Sequence, residues 1–329
     1  MNYGLPYQGS KNRIARRLVA ALPAAPVLYD VFCGGCAVTH AAMLSGKYQH
    51  FVVNDLRGWP PDAFQKAIHG GYAHEDRWIS REDFKRLKST DAYAALCFSF
   101  GNNARTYMYA PPLEPYKRAL HYAIFWRDFA PWRELCPETA DALASSLAPI
   151  EDRKQRRVQA GHFIVESLKQ QLSAGTLAPD ILDKPIYRQI RRPKHASVCL
   201  QSLECLERLQ SLESLESLER LERLDRLQSL PDTLTAYSMD YREMRFDEPG
   251  IIYCDPPYMS VYDYGCEFDA EAFYSWCEAQ KLPVYISEYQ LPEDRFVPVA
   301  AFTVTRKMDT KKSSICHEKI WRPRCQLDI

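Results

Sequence analysis

The stretch Ile251-Ile252-Tyr253-Cys254-Asp255-Pro256-Pro257-Tyr258 constrains this chain more than any other. Its first four residues are β-branched, aromatic or small and apolar, the character of a short buried strand. The two prolines stop that strand at once, because neither can donate to a sheet ladder. Asp255 is thereby fixed at the carboxyl end of a buried strand, the place where open α/β sheets hold their ligands. A carboxylate, a stiff peptide carbonyl at Pro256 and an aromatic ring at Tyr258 then converge on one small space. Such a space suits a planar substrate that carries an amino group. Read without context, the same residues describe a strand followed by a proline-rich turn, so the rest of the chain has to decide.

Two further strand ends carry acids. Val27-Leu28-Tyr29-Asp30 runs into Val31-Phe32-Cys33-Gly34-Gly35-Cys36, and a small-residue helix follows. Strand, glycine turn and helix in that order open a nucleotide-type α/β fold, with the glycines admitting close approach of a ligand to the backbone. The full G-x-G-x-x-G fingerprint is missing, which argues against NAD or FAD. The Cys33-x-x-Cys36 spacing is not read as a metal site, since no second cysteine pair or histidine partner stands at zinc-like spacing. Phe51-Val52-Val53-Asn54-Asp55 is again a short apolar run ending in an acid. A carboxylate about 20 residues beyond the glycine turn is where doubly wound folds grip a ribose hydroxyl. Upstream, Tyr7-Gln8-Gly9-Ser10-Lys11 precedes an amphipathic stretch from Ile14 to Leu22. Gly-Ser supplies loop and capping chemistry, and the helix start with Lys11 suits a carboxylate or a phosphate. The segment is not a Walker loop.

Three ordered signatures, Tyr7 to Lys11, Asp30 to Gly35 and Asp255 to Tyr258, make the chain resemble a Dam-like, DPPY-type DNA adenine methyltransferase of the alpha arrangement. In that family the glycine motif is commonly F-x-G-x-G, whereas here Cys36 stands where its second glycine falls. The resemblance covers the first 57 residues and about the last 95. It implies a doubly wound, Rossmann-like methyltransferase sheet, S-adenosylmethionine as cofactor, and double-stranded DNA as partner. It further implies Asp255, Pro256, Pro257 and Tyr258 as the catalytic set. Tyr7, Lys11, Asp30, Phe32, Gly34, Asp55, Asp240, Tyr241 and Asp255 are implied around the cofactor, the pair Asp240-Tyr241 beside its adenine.

The domains expected are a catalytic part over 1–57, an inserted and mainly helical target-recognition region over 58–199, a leucine-triplet insert over 200–231, and the catalytic remainder over 232–329. Within the insert, Cys97 to Tyr109 begins as an apolar, strand-like entry and continues through Gly101-Asn102-Asn103 to Arg105, Tyr107 and Tyr109. Asn and Arg pair bidentately with base edges and tyrosines stack on bases. Asn102, Asn103, Arg105 and Tyr107 are therefore candidates for DNA contact; an Asn-Gly turn with packing tyrosines is the alternative. From Leu200 to Leu230 every third residue is leucine. On an α-helix such a row drifts about 60° per repeat, and a coiled coil needs alternating spacings of three and four. A 3₁₀-like helix, with three residues per turn, or a spacer is expected instead.

The remaining composition sets bounds. The 42 basic and 42 acidic residues cancel, with basic clusters at Arg153–Arg157 and Arg188–Lys194. No apolar run reaches the length of a membrane span. Eleven scattered cysteines fit free thiols in a reducing compartment. A cytoplasmic, bacterial or phage-encoded, monomeric enzyme without a metal is expected, and any restriction partner is not deducible. The expected chemistry is direct in-line transfer of a methyl group to the 6-amino group of a flipped-out adenine. The alternatives are a cytosine exocyclic-amine methyltransferase, a protein-glutamine methyltransferase (which usually shows Asn in place of Asp255), and a non-catalytic DNA-binding protein on the same fold.

Overall fold

In the computed structural model, which describes residues 2–111, 113–173, 216–257, 268–309 and 312–327, seven strands form one sheet. They are β1 Val27–Asp30, β2 His50–Asn54, β3 Leu234–Tyr237, β4 Gly250–Cys254, β5 Val284–Glu288, β6 Phe296–Asp309 and β7 Lys312–Pro323. Their order across the sheet is β3-β2-β1-β4-β5-β7-β6. The first five of these are parallel, and β7 enters antiparallel between β5 and β6. All residues of β1 and β5 are buried, as are Ile251 to Cys254 of β4. Parallel strands covered on both faces are near-continuously apolar, which is why these runs show no alternation; their buried polar residues, Asp30, Ser287 and Glu288, stand at the carboxyl ends. The mixed α/β architecture, with this sheet and about eleven helices, is consistent with a methyltransferase fold.

The chain leaves β1 toward β2 and β3 on one side, while β4 leads to β5 on the other. The switch point therefore lies between β1 and β4, where Asp30 pairs with Tyr253. A crevice opens at the carboxyl ends of two strands that diverge this way. Below it the core packs Tyr29, Ile252, Phe273, Val284, Phe296 and Trp321. Cys254 belongs to that core with Cys277.

The residues fall into two units, Met1–Ala73 with Arg223–Ile329, and His74–Glu222. The first holds the sheet. It includes α3 Trp59–Ile68, which packs on β3. (Helices α1 Ala15–Ala21 and α2 Ala37–Met43 precede it.) The second unit is mainly helical, with its own core around Tyr116, Leu120, Trp132, Leu143 and Ile164. Among the described residues no helix is long and apolar enough to cross a membrane.

Three local expectations change. The strand-like entry at Cys97 is the end of a helix, Ala92–Cys97, which starts where the Asp91 carboxylate accepts from the Tyr93 and Ala94 amides; an alanine-rich segment with an aspartate cap favours helix. The run Leu234 to Tyr241, whose residues read as a strand ending in Asp-Tyr, stays extended only to Tyr237. The leucine repeat lies outside the described residues up to 215. From Glu216 to Asp225 it is an α-helix, and only Arg226–Ser229 tightens to 3₁₀. Leu218, Leu221, Leu224, Leu227 and Leu230 are all buried. A short helix tolerates the period of three because the drift of about 60° per step keeps three successive leucines within one third of the circumference. The fillers are engaged as well. Arg157 pairs with Glu219 and Glu222 at 3.0 and 2.8 Å, and Arg223 donates to the carbonyls of Tyr3 and Gly4.

Candidate active site

Asp255 follows directly on β4, and its side chain is 19% exposed at the mouth of the crevice. Lys11 reaches it from a 3₁₀ turn, Lys11–Arg13, whose first amides are organised by Ser10 accepting from Asn12 N. The Lys11 Nζ donates to Asp255 Oδ1 at 2.7 Å and lies 3.5 Å from Glu318 Oε1 on β7. Ser287 on β5 donates to the same Glu318 oxygen at 2.8 Å. Glu288, next along β5, is also buried. One ammonium thus sits among three carboxyl groups. Burial pushes Asp255 up to about 6, opposed by Lys11, and Glu288 up to about 7. Burial disfavours the charged form of Lys11, but Asp255 and Glu318 outweigh it and hold its pKa above the ordinary value.

Asp30 closes β1. Thr39, in α2, donates to its Oδ2 at 2.6 Å, while its buried Oδ1 has no hydrogen-bond partner among the described residues. Burial raises this carboxyl to about 7. An acceptor left open at the end of β1, beside a glycine turn, leaves room for a donor brought by a ligand.

The glycine turn is held from both sides. Gly34 N donates to Asp55 Oδ2 at 3.0 Å, and Arg57 N donates to Asp55 Oδ1 at 3.0 Å. Tyr7 lies over the turn; a Cβ on Gly35 would stand 2.5 Å from Tyr7 Cβ, and one on Gly34 3.1 Å from its ring. Arg57 donates to the Tyr7 hydroxyl at 3.0 Å. Cys36 adopts φ +54°, the left-handed conformation that favours glycine. The turn therefore places a buried thiol at a backbone position where a glycine would be unstrained.

Phe32 packs against Tyr241 and Phe268 with ring centroids 5.3 and 6.1 Å apart. Asp240 accepts from Arg242 N at 2.9 Å and pairs with the Arg242 guanidinium, which holds its carboxyl below the usual range. The structure thus gathers Tyr7, Lys11, Asp30, Phe32, Gly34, Asp55, Asp240, Tyr241, Asp255, Pro256 and Pro257 into the sheet-bearing unit. Tyr258 lies outside the described residues.

The candidates for DNA contact sit in the helical unit. Asn103 accepts from the amides of Arg105 and Thr106 at 2.8 and 2.9 Å, and Asn102 takes φ +58°. This is asparagine turn chemistry, and it leaves the Arg105 side chain exposed. Tyr107 differs from the expectation of a base-stacking ring. It is buried, its hydroxyl donates to Ile79 O at 2.8 Å, and its ring packs on Phe84 and Tyr109. An apolar ring beside other aromatics gains more from the core than from solvent.

Besides Glu288 and Arg57, four polar residues of the site were not singled out by the sequence. Thr39, Ser287 and Glu318 act on the acids, and Asn54 ties strand ends together. Its side chain donates to Val31 O and Met239 O at 3.2 and 3.0 Å and accepts from Met239 N at 3.0 Å. A polar residue at the end of an apolar run was the available signal for Asn54.

Residues 7–69 match the family model described as D12 class N6 adenine-specific DNA methyltransferase. The matched stretch contains Tyr7, Lys11, Asp30, Phe32, Gly34 and Asp55, and so the amino-terminal half of the geometry above. No curated protein matches the chain.

Proposed function

We infer that this Dam-like, adenine-specific DNA methyltransferase moves a methyl group from S-adenosylmethionine to the 6-amino group of an adenine flipped out of duplex DNA. The observation that carries this reading is the Asp255 carboxylate at the end of β4, beside the β1–β4 switch point and followed by two prolines. Adenine's exocyclic amine is a weak nucleophile because its lone pair is delocalised into the ring. It becomes reactive when its two hydrogens find acceptors and the nitrogen turns pyramidal. The Asp255 side chain and the Pro256 carbonyl are two such acceptors, preorganised by strand and prolines and aimed where positive charge develops. The same rigidity supplies the proximity term. The extra proton of the methylated amine then passes to the Asp255 carboxylate and on to water. Tyr258, next in the chain, is assigned to stacking on the base.

Residues at the β1 and β2 ends fit the cofactor. The open Asp30 Oδ1 suits a donor, and Asp55, already accepting from Gly34 and Arg57 amides, retains lone pairs for ribose hydroxyls. When bound, S-adenosylmethionine supplies an electrophilic methyl group on a sulfonium. Phe32, Tyr241 and Tyr7 provide aromatic surface at this end of the sheet. DNA contact is assigned to the unit His74–Glu222, with Arg105, Asn102 and Asn103 as its candidates; Tyr107, whose hydroxyl donates to Ile79 O, is assigned to packing.

The test is methyl transfer from labelled cofactor to duplex DNA, followed by nucleoside analysis. N6-methyldeoxyadenosine is the expected product. N4-methyldeoxycytidine would move the assignment to the cytosine amine. No incorporation across varied sequences would favour a DNA-binding protein on the same fold.

A further inference from the structure

The Asp255 carboxylate, which has to receive the amine, already holds an ammonium at 2.7 Å. A cation bonded there lowers the acceptor strength of the carboxylate where positive charge has to build up. Lys11 cannot simply withdraw into an apolar interior, because an unpaired buried ammonium is costly. It needs a second anionic seat. Glu318 supplies one: its Oε1 lies 3.5 Å from Lys11 Nζ, and the residue is almost fully buried. Ser287 donates to that same oxygen and fixes its direction from β5, while β7 holds the backbone in register with β5.

We propose that Glu318 is a positioning residue that draws the Lys11 ammonium off Asp255 when the target amine arrives, with Ser287 holding Glu318 for that exchange. The inference rests on the methyl-transfer reading for its substrate, but the Lys11–Asp255–Glu318 arrangement belongs to the chain alone. On entry of the base, Lys11 shortens its distance to Glu318 and lengthens it to Asp255. The amine N–H takes the vacated Asp255 oxygen, and no charge is left unpaired. Around this exchange stand Glu288 and Tyr289 at the end of β5, Tyr253 on β4, Asp30 at the end of β1 and Asp55 after β2. Each carboxylate among them disfavours ionisation of Asp255, and Lys11 favours it.

The experiment uses the full chain with Glu318→Gln, Glu318→Asp and Ser287→Ala. Glu318→Gln traps Lys11 on Asp255, so kcat falls about 100-fold, the cost of misplacing a reacting group by about 1 Å, while cofactor affinity stays within about twofold. Its acid limb moves to lower pH, because a buried negative charge next to Asp255 is gone. Glu318→Asp recovers part of the rate, and Ser287→Ala loses less than Glu318→Gln. A folded Glu318→Gln protein with wild-type kcat and an unmoved acid limb would overturn the proposal. If Glu318→Gln does not fold, Ser287→Ala decides, and wild-type kcat in it overturns the proposal equally. A carboxyl NMR titration of Asp255 without substrate separates the two readings. A lower Asp255 pKa in Glu318→Gln supports the charge coupling even if wild-type protein methylates no DNA, in which case the functional reading alone fails. An unchanged pKa overturns the coupling whatever the activity.

Discussion

Lys11 and Asp255 lie 244 positions apart in the chain, and the ammonium of one donates to the carboxylate of the other at 2.7 Å. A 3₁₀ turn near the amino terminus and the end of the fourth strand are therefore parts of one site. Both residues are buried charges, and each favours the ionised form of the other, with Glu318 adding to the hold on Lys11.

Replacing Asp255 by Asn keeps the volume and removes the anionic acceptor. A loss of about 10²–10³ in kcat is expected, with little change in cofactor affinity. Steady-state methyl transfer with a cofactor titration checks this. Near-normal turnover would remove Asp255 from the mechanism.

The pH dependence of activity follows from the same group. Asp255 is raised from 3.8 to about 6 by burial, and it has to be ionised to accept the amine hydrogen. Activity therefore falls on the acid side with an apparent midpoint near 6, as one proton is taken up. A rate profile from acid to neutral pH tests this. A wild-type limb centred near the ordinary aspartate value would contradict it.

Stability moves the other way with pH. Asp30 is raised from 3.8 to about 7, so the folded state binds a proton that the unfolded chain has released. Such a group contributes stability that is full below its unfolded pKa and lost as pH rises through its folded pKa. Asp30→Asn mimics the protonated form, keeps the Thr39 bond and presents no buried charge. Its melting temperature should gain on wild type progressively from acid to neutral pH, while its affinity for S-adenosylmethionine drops. Parallel melting curves for the two proteins across that window would show that Asp30 does not titrate there.

Cys36 offers a test of backbone strain. At φ +54° a residue with a Cβ is strained, and glycine is not. Cys36→Gly and Cys36→Ala both lose the buried thiol, but only alanine keeps the strain. The glycine variant should be the more stable by about 1 kcal/mol, as measured by denaturant unfolding. Equal stability would mean that the turn relaxes when the thiol is removed.

Arg105 and Tyr107, two residues apart, should separate by phenotype. Arg105→Ala, at an exposed position, is expected to weaken DNA binding and its salt dependence while leaving the melting temperature unchanged. Tyr107→Ala, in a buried aromatic cluster, should cost about 3–5 kcal/mol of stability. Fluorescence-based DNA binding and thermal melts distinguish them. Unaltered DNA affinity in Arg105→Ala would take that side chain out of the interface.

What the sequence determined by itself was the set of strand ends. Apolar runs that stop at Asp30, Asp55 and Asp255 declare buried parallel strands, because a carboxylate or a proline at the end of such a run has no place within it. The glycine turn was legible for the same reason: local backbone chemistry is written in local residue types. The tertiary structure decided which of these ends meet. Strand order placed Asp30 beside Asp255, and β7, arriving from the far end of the chain, brought Glu318 to Lys11. It also decided which residues were occupied with packing, as with Tyr107, and which leucines of a period-three row stayed buried once part of that row wound as an α-helix. Period and composition describe one element at a time. Pairing of buried charges, and the burial that shifts them, are properties of distances between elements, and those exist only once the sheet has formed.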